Sequence, residues 1–189
     1  MAFLIVVSHP EVIVDAGLPI PEWDLRPEGR ARAARFAESP VMADARQIWS
    51  SAERKALTTA KILAARQGLD VAVDPRLSEN DRSATGFLPP PEFEAAADQF
   101  FARPTESLRG WETAVAAQSR IVSALHDILA SHKSTGDLVL STHGAVGTLL
   151  WCHLSDSPID RCHDQPSQGH YWRADLETLR PESGWRKMA

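Results

Sequence analysis

Cysteine is scarce: Cys152 and Cys162 are the only two in 189 residues. No disulfide framework is needed, and the two read as reduced thiols of a cytoplasmic protein. Long apolar runs are missing as well. The N-terminal run Phe3-Leu4-Ile5-Val6-Val7 is too short to span a bilayer, so no membrane association is expected. It lacks a basic flank and a small-residue cleavage site, and it reads as a first strand rather than a signal peptide. There is no excess of positive charge: 20 Lys and Arg stand against 25 Asp and Glu, a net charge of −5. That argues against a general nucleic-acid binder and leaves room for a local basic pocket. Repeats and low-complexity tracts are absent. The length suits one domain over residues 1–189 with a sizeable core. No pattern in the chain sets an oligomeric state.

What is present is a pair of histidines in matching contexts. The run Phe3 to Val7 leads into Ser8-His9-Pro10-Glu11, and Asp137-Leu138-Val139-Leu140 leads into Ser141-Thr142-His143-Gly144. Unbroken Val/Ile/Leu runs suit strands buried on both faces of a parallel sheet. Ligands of such sheets collect at the carboxyl ends of the strands, where helix N-termini present N–H groups to anions. Two imidazoles at two such ends imply one shared site for a phosphorylated ligand.

The rest of the chain alternates in the same way. Residues 11–25 carry Pro19 and Pro21 and form a loop leading away from His9. A helix is predicted over about 27–38, a short strand over Gln47–Ser50, and a helix capped by Ser51 and ended by Gly68. Val71-Ala72-Val73 forms a third strand. A polar excursion over about 80–110 holds Pro89-Pro90-Pro91, Pro104 and Gly110, and reads as a lid beside an active site. Trp111 then anchors the hinge of that lid. A helix over about 111–132 turns Val115, Ile121, Val122, Leu125, Ile128 and Leu129 to the core. The strand ending at His143 follows, then a helix over about 145–154, a strand at His170–Ala174 and another near Leu176–Leu179. Strands alternating with helices give an α/β fold, a three-layer α/β/α arrangement around a largely parallel sheet.

These residues resemble the histidine phosphatase superfamily, the phosphoglycerate-mutase-like group. The strand with His9 is similar to the family's opening Arg-His-Gly segment. Ser50-Ser51-Ala52-Glu53-Arg54-Lys55-Ala56-Leu57-Thr58-Thr59-Ala60 is similar to its second phosphate-binding segment. Leu77-Ser78-Glu79 resembles the segment carrying the acid, and Ser141-Thr142-His143-Gly144 the late Ser-His-Gly segment. Each motif is short, but the four occur in the family's order.

The resemblance implies a phosphohydrolase acting on a small phosphomonoester through a phosphohistidine. His9 is then the nucleophile, its other ring N–H fixed by a carbonyl. His143 donates to the phosphoryl oxygens, and Glu79 protonates the leaving oxygen and later activates water. Lys55, with Arg54, holds the phosphate. No metal or cofactor is implied, since cationic side chains and helix N–H groups supply the positive field. The chain departs from the family pattern at Ser8, where arginine is usual, at Pro10, where glycine is usual, and at Lys55, again in place of arginine. Ser8 takes a place among the phosphate contacts, and Arg82, three residues after Glu79, is the first candidate to restore the missing charge. Generic phosphatase activity is therefore expected to be weak.

Two other functions compete. A phosphoglycerate mutase proper needs a strongly basic closed pocket, which Ser8 and Lys55 disfavour. A pseudoenzyme binding a phosphorylated ligand or a protein partner has no use for an acid beside a nucleophile. Cys152-His153, Cys162-His163 and His170 match no compact zinc spacing. His170 reads as an ordinary strand residue near the pocket rim.

Overall fold

The apolar runs become the strands of a single sheet. In the computed structural model, which describes residues 1–188, they are β1 (Phe3–Ser8), β2 (Ala45–Ser50), β3 (Val71–Val73), β4 (Asp137–Thr142), β5 (His170–Asp175) and β6 (Arg186–Lys187). Their spatial order is β3-β2-β4-β1-β5-β6. The neighbours among β1 to β4 pair in parallel, while β5 and β6 run antiparallel. Strands β1 and β4 lie in the middle with helices over both faces. That is why neither alternates apolar with polar residues.

Five helices complete three layers: α1 (Pro27–Ala37), α2 (Arg54–Gln67), α3 (Pro90–Ala102), α4 (Ala114–Ser131) and α5 (Gly144–Leu154). Leu4, Val6, Leu138 and Leu140 project to one face and pack with Phe100 of α3, Ile121 and Leu125 of α4, and Leu149 of α5. Ile5, Val7, Ile48 and Val139 project to the other face, against Phe36 of α1 and Leu63 of α2. The alternation of side chains along each strand thus feeds two separate cores. The expected α/β/α architecture with a mostly parallel sheet is what the chain adopts. Among the described residues no helix is long and apolar enough to cross a membrane.

Several local expectations are corrected. The 80–110 excursion contains a whole helix, α3. Its prolines read as breakers, but Pro90 and Pro91 occupy the first turn, where no intrahelical N–H is needed. Helix α2 starts at Arg54 with Glu53 rather than Ser51 at its cap, and Gly68 closes it at φ 64°. Val115 is 40% exposed, because it lies in the first turn of α4 on the side away from Ala114 and Ala117. Leu176–Leu179 is a turn, and β5 pairs instead with Arg186–Lys187. Trp111 is buried as an anchor, its Nε1–H donating to Thr85 Oγ1 at 2.9 Å and its ring near Phe93 and Phe100.

Candidate active site

Sheet register brings the two histidines together. Ser8 and Thr142 are the last paired residues of β1 and β4, so the next residues, His9 and His143, leave adjacent strands side by side. Their rings meet edge to face with centroids 5.3 Å apart. Both are buried, at 7% and 0% exposure. His9 Nδ1–H donates to its neighbour's carbonyl, Pro10 O, at 2.9 Å, which leaves Nε2 as the ring nitrogen with a lone pair. Burial, reinforced by the Lys55 charge, lowers the His9 pKa to about 4, against the opposing pull of the Pro10 carbonyl and Glu53. The ring is therefore neutral and nucleophilic across the physiological range.

His143 is held from below. Ser51 Oγ lies 2.8 Å from its Nε2 and accepts the Glu53 N–H at 3.3 Å. Ser51 Oγ carries one proton and two lone pairs, so it serves either tautomer of neutral His143 while accepting the Glu53 N–H. Burial drives the His143 pKa well below its ordinary value, with Glu53 opposing and Lys55 assisting. Nδ1 has no hydrogen-bond partner among the described residues.

Glu79 reaches the same place along a separate route. Thr142 Oγ1 donates to Leu77 O at 2.6 Å, fastening the end of β4 to the segment that carries Glu79. Arg120 of α4 reinforces it, donating to the carbonyls of Arg76 at 2.6 Å, Ser78 at 2.9 Å and Glu79 at 3.3 Å. The Glu79 carboxylate then accepts the Val146 N–H at 3.1 Å and approaches the Ala145 N–H at 3.4 Å, at the start of α5. Burial raises its pKa, against the Arg82 charge, while Glu53 adds to the rise. An acid with an elevated pKa next to a neutral imidazole is the pairing that proton transfer to a leaving group requires.

The two cations expected at the phosphate separate as their helix positions dictate. Lys55 is 3% exposed, donates to Ile20 O at 3.0 Å, and pairs with the buried Glu53 carboxylate. Its charge acts on both histidines. Arg54, about 100° around the helix, is exposed and acts on Asp24 instead. Arg82 lies in the turn after Glu79 with its guanidinium 5.0 Å from the Phe93 ring and 5.7 Å from the Trp111 ring. Its charge is felt by His9, Glu79 and His143.

Ser8 corrects the sequence reading. The resemblance places it among the phosphate contacts, yet its side chain is fully buried and its hydroxyl is occupied. It accepts the His170 N–H at 3.0 Å and donates to the side-chain oxygen of Gln165. Ser8 is a tie between β1 and β5. His170 contributes its backbone to that tie and stands at the start of β5. A Cβ at Gly144 would meet the end of the Gln165 side chain, which would have to shift.

Glu53 is the residue that motif reading overlooked. It sits inside the motif compared with a phosphate-binding segment, but its charge has the opposite sign. Its Oε1 accepts the Glu79 N–H at 2.8 Å and lies 3.4 Å from His143 Nε2. Burial alone would raise its pKa, yet His143, Lys55 and the hydrogen bonds from Lys55 and the Glu79 N–H bring it down to about 2. Its carboxylate stays charged and links the second motif, the acid and the second histidine. Arg120, Thr142, Gln165 and Ser51 were also missed, since each acts through folded contacts that no spacing reveals.

Compared with known proteins, residues 20–172 match the model of the histidine phosphatase superfamily, branch 1. No curated protein matches the sequence. Among solved structures, the chain is similar to the native mycobacterial glucosyl-3-phosphoglycerate phosphatase, at 23% identity and a TM-score of 0.81, covering 98% of this chain and 99% of that one. It is similar to a variant of phosphoserine phosphatase from Entamoeba histolytica in complex with phosphoserine, at 16% identity and a TM-score of 0.77, covering 98% and 96%. YhfR of Bacillus stearothermophilus aligns at 21% identity and a TM-score of 0.76, covering 99% and 95%. At these identities the likeness is one of fold.

Proposed function

Because the chain belongs to the histidine phosphatase superfamily, and so is an enzyme of the phosphatase type, we propose that it hydrolyses a small phosphomonoester through a phosphohistidine at His9. The observation that carries this reading is the neutral His9 ring, tied through Nδ1 to Pro10 O and packed edge to face on His143, which Ser51 and Glu53 connect to the backbone of Glu79. In the first step the Nε2 lone pair attacks phosphorus and the ester P–O bond breaks. Glu79 gives its proton to the departing oxygen, so an alcohol leaves and Nε2 carries the phosphoryl group. In the second step Glu79 removes a proton from water as the water oxygen attacks phosphorus. The P–N bond breaks, and phosphate and neutral His9 are restored. His143, Lys55 and Arg82 meet the charge on the phosphoryl oxygens.

Two features temper the rate. Ser8 supplies no cation, and Glu53 offsets the charge of Lys55. We therefore propose weak turnover of generic phosphomonoesters, and a pocket too weakly basic to retain the bisphosphorylated intermediate of a mutase. The protein is proposed to work in the cytoplasm with both thiols reduced. Phosphate release from an aryl phosphate tests the assignment, with His9→Ala as the control. Activity is expected in the wild type and none in the variant. Equal rates would contradict it.

A further inference from the structure

A cavity of about 530 Å³ includes Glu53, Glu79 and Arg82 in its lining, and it reaches the histidines through Glu53, which lies 3.4 Å from His143. One wall is Pro19-Ile20-Pro21, carried over the site by the 11–25 loop and held by the Lys55 hydrogen bond to Ile20 O. Proline offers no N–H, so this wall presents carbon and little else. The facing wall runs from Ser78 to Gly86. Within it Asn80 is 5% exposed and its Nδ2 has no partner among the described residues, leaving a buried donor for an acceptor oxygen. Charge in the lining is one-sided. Arg82 is the one cation among the lining residues, whereas Glu53, Glu79 and Asp81 are acidic.

On the phosphatase reading above, we propose that the substrate is the phosphomonoester of an uncharged, largely apolar alcohol or phenol. This cavity is the site that selects it, by excluding leaving groups that carry a second anion. Arg82 is engaged by the phosphoryl group. A carboxylate or second phosphate on the leaving group then faces the Asp81 carboxylate with no cation left in the walls to offset it. Like charges in a cleft partly shut off from water repel more strongly than in bulk solvent. A ring or aliphatic body instead covers Ile20 and two prolines and gains by leaving water. The volume falls within the range of sites for small organic molecules.

Binding separates this proposal from the chemistry. Calorimetry with the full chain compares phenylphosphonate with 4-carboxyphenylphosphonate, which differ by one distal charge and cannot be hydrolysed. Phenylphosphonate is expected to bind roughly tenfold more tightly, the scale of one unfavourable charge contact in a partly screened cleft. Ser83→Lys, which adds a cation to the exposed rim of the lining, is expected to narrow that gap. Equal binding, tighter binding of the carboxylated compound, or no binding of either overturns the proposal. The matching phosphate esters are assayed in parallel. Preference in binding without hydrolysis of either ester leaves the ligand class standing and removes the phosphatase reading. Equal hydrolysis of both, with label on His9, does the reverse.

Discussion

Glu53 accepts the backbone N–H of Glu79 at 2.8 Å, so one carboxylate of the site fixes the position of the other. The same Glu53 pairs with Lys55 and lies 3.4 Å from His143. One anion thus ties together three groups that the proposed reaction uses. Glu53→Gln keeps the size and removes the charge, stranding the Lys55 ammonium in a buried place. A loss of about 3 kcal/mol is expected, the scale for breaking one side of a buried ion pair. Urea denaturation at pH 7 measures it, and a loss below about 1 kcal/mol would show that water reaches Lys55 freely.

The sign of the pH effect follows from the same carboxylate. Its folded pKa, about 2, lies below the ordinary 4.5. Its contribution is complete above pH 4.5 and disappears as pH falls toward 2. Wild-type stability is expected to decline across that window, and the decline should be shallower in Glu53→Gln. Parallel curves for the two proteins would place the acid sensitivity elsewhere.

His9 makes a second titration measurable. With a pKa near 4 rather than 6.5, the ring stays neutral well below pH 6. The ring-proton resonances of His9, assigned by comparison with His9→Ala, are expected to titrate with a midpoint near 4, against about 6.5 for a solvated histidine. A midpoint near 6.5 would mean the ring is open to water and the nucleophile is partly protonated at neutral pH.

The phosphate-binding cations are ranked by where they point. Arg82→Ala removes a cation held between aromatic faces, and vanadate is expected to bind about ten- to a hundredfold more weakly, the value of a charge-assisted hydrogen bond. Arg82→Lys should recover only part of this, because lysine restores the charge without the bidentate guanidinium fork. Lys55→Ala should weaken vanadate more than Arg54→Ala, since Lys55 is buried beside the histidines' partner Glu53 while Arg54 is exposed. The opposite order would move the anchor to Arg54.

Restoring arginine at position 8 is not expected to help. Ser8 is fully buried and its hydroxyl serves His170 and Gln165. Ser8→Arg must push a long charged side chain into that joint, and a stability loss of about 3 kcal/mol or more is expected, without a gain in phosphatase rate. Thermal unfolding and phosphate release check both parts. A stable variant with a higher rate would show that the joint yields.

Much of this molecule was legible in its sequence because local patterns determined it. The runs at Phe3–Val7 and Asp137–Leu140 could only be central strands, and parallel pairing carried His9 and His143 to one edge. Gly68 ended α2 as its left-handed backbone requires. The failures arise where meaning depends on tertiary contacts. Prolines 90 and 91 break a helix interior but start a helix equally well, so α3 was hidden. Ser8 looked like a depleted phosphate ligand until β5 supplied its partners. Glu53 has no role that its motif announces, and only the arrival of Glu79 and His143 from distant segments gives it one.

The central claim is a covalent bond between His9 Nε2 and phosphorus, and direct labelling tests it. The protein is mixed with a ³²P-labelled aryl phosphate, quenched in alkali to preserve phosphohistidine, and digested for mass mapping of the label. The account predicts label on His9 alone, absent in His9→Ala and longer-lived in Glu79→Gln, where no base activates water for the second step. Turnover with no trapped label, or label on another residue, would contradict it.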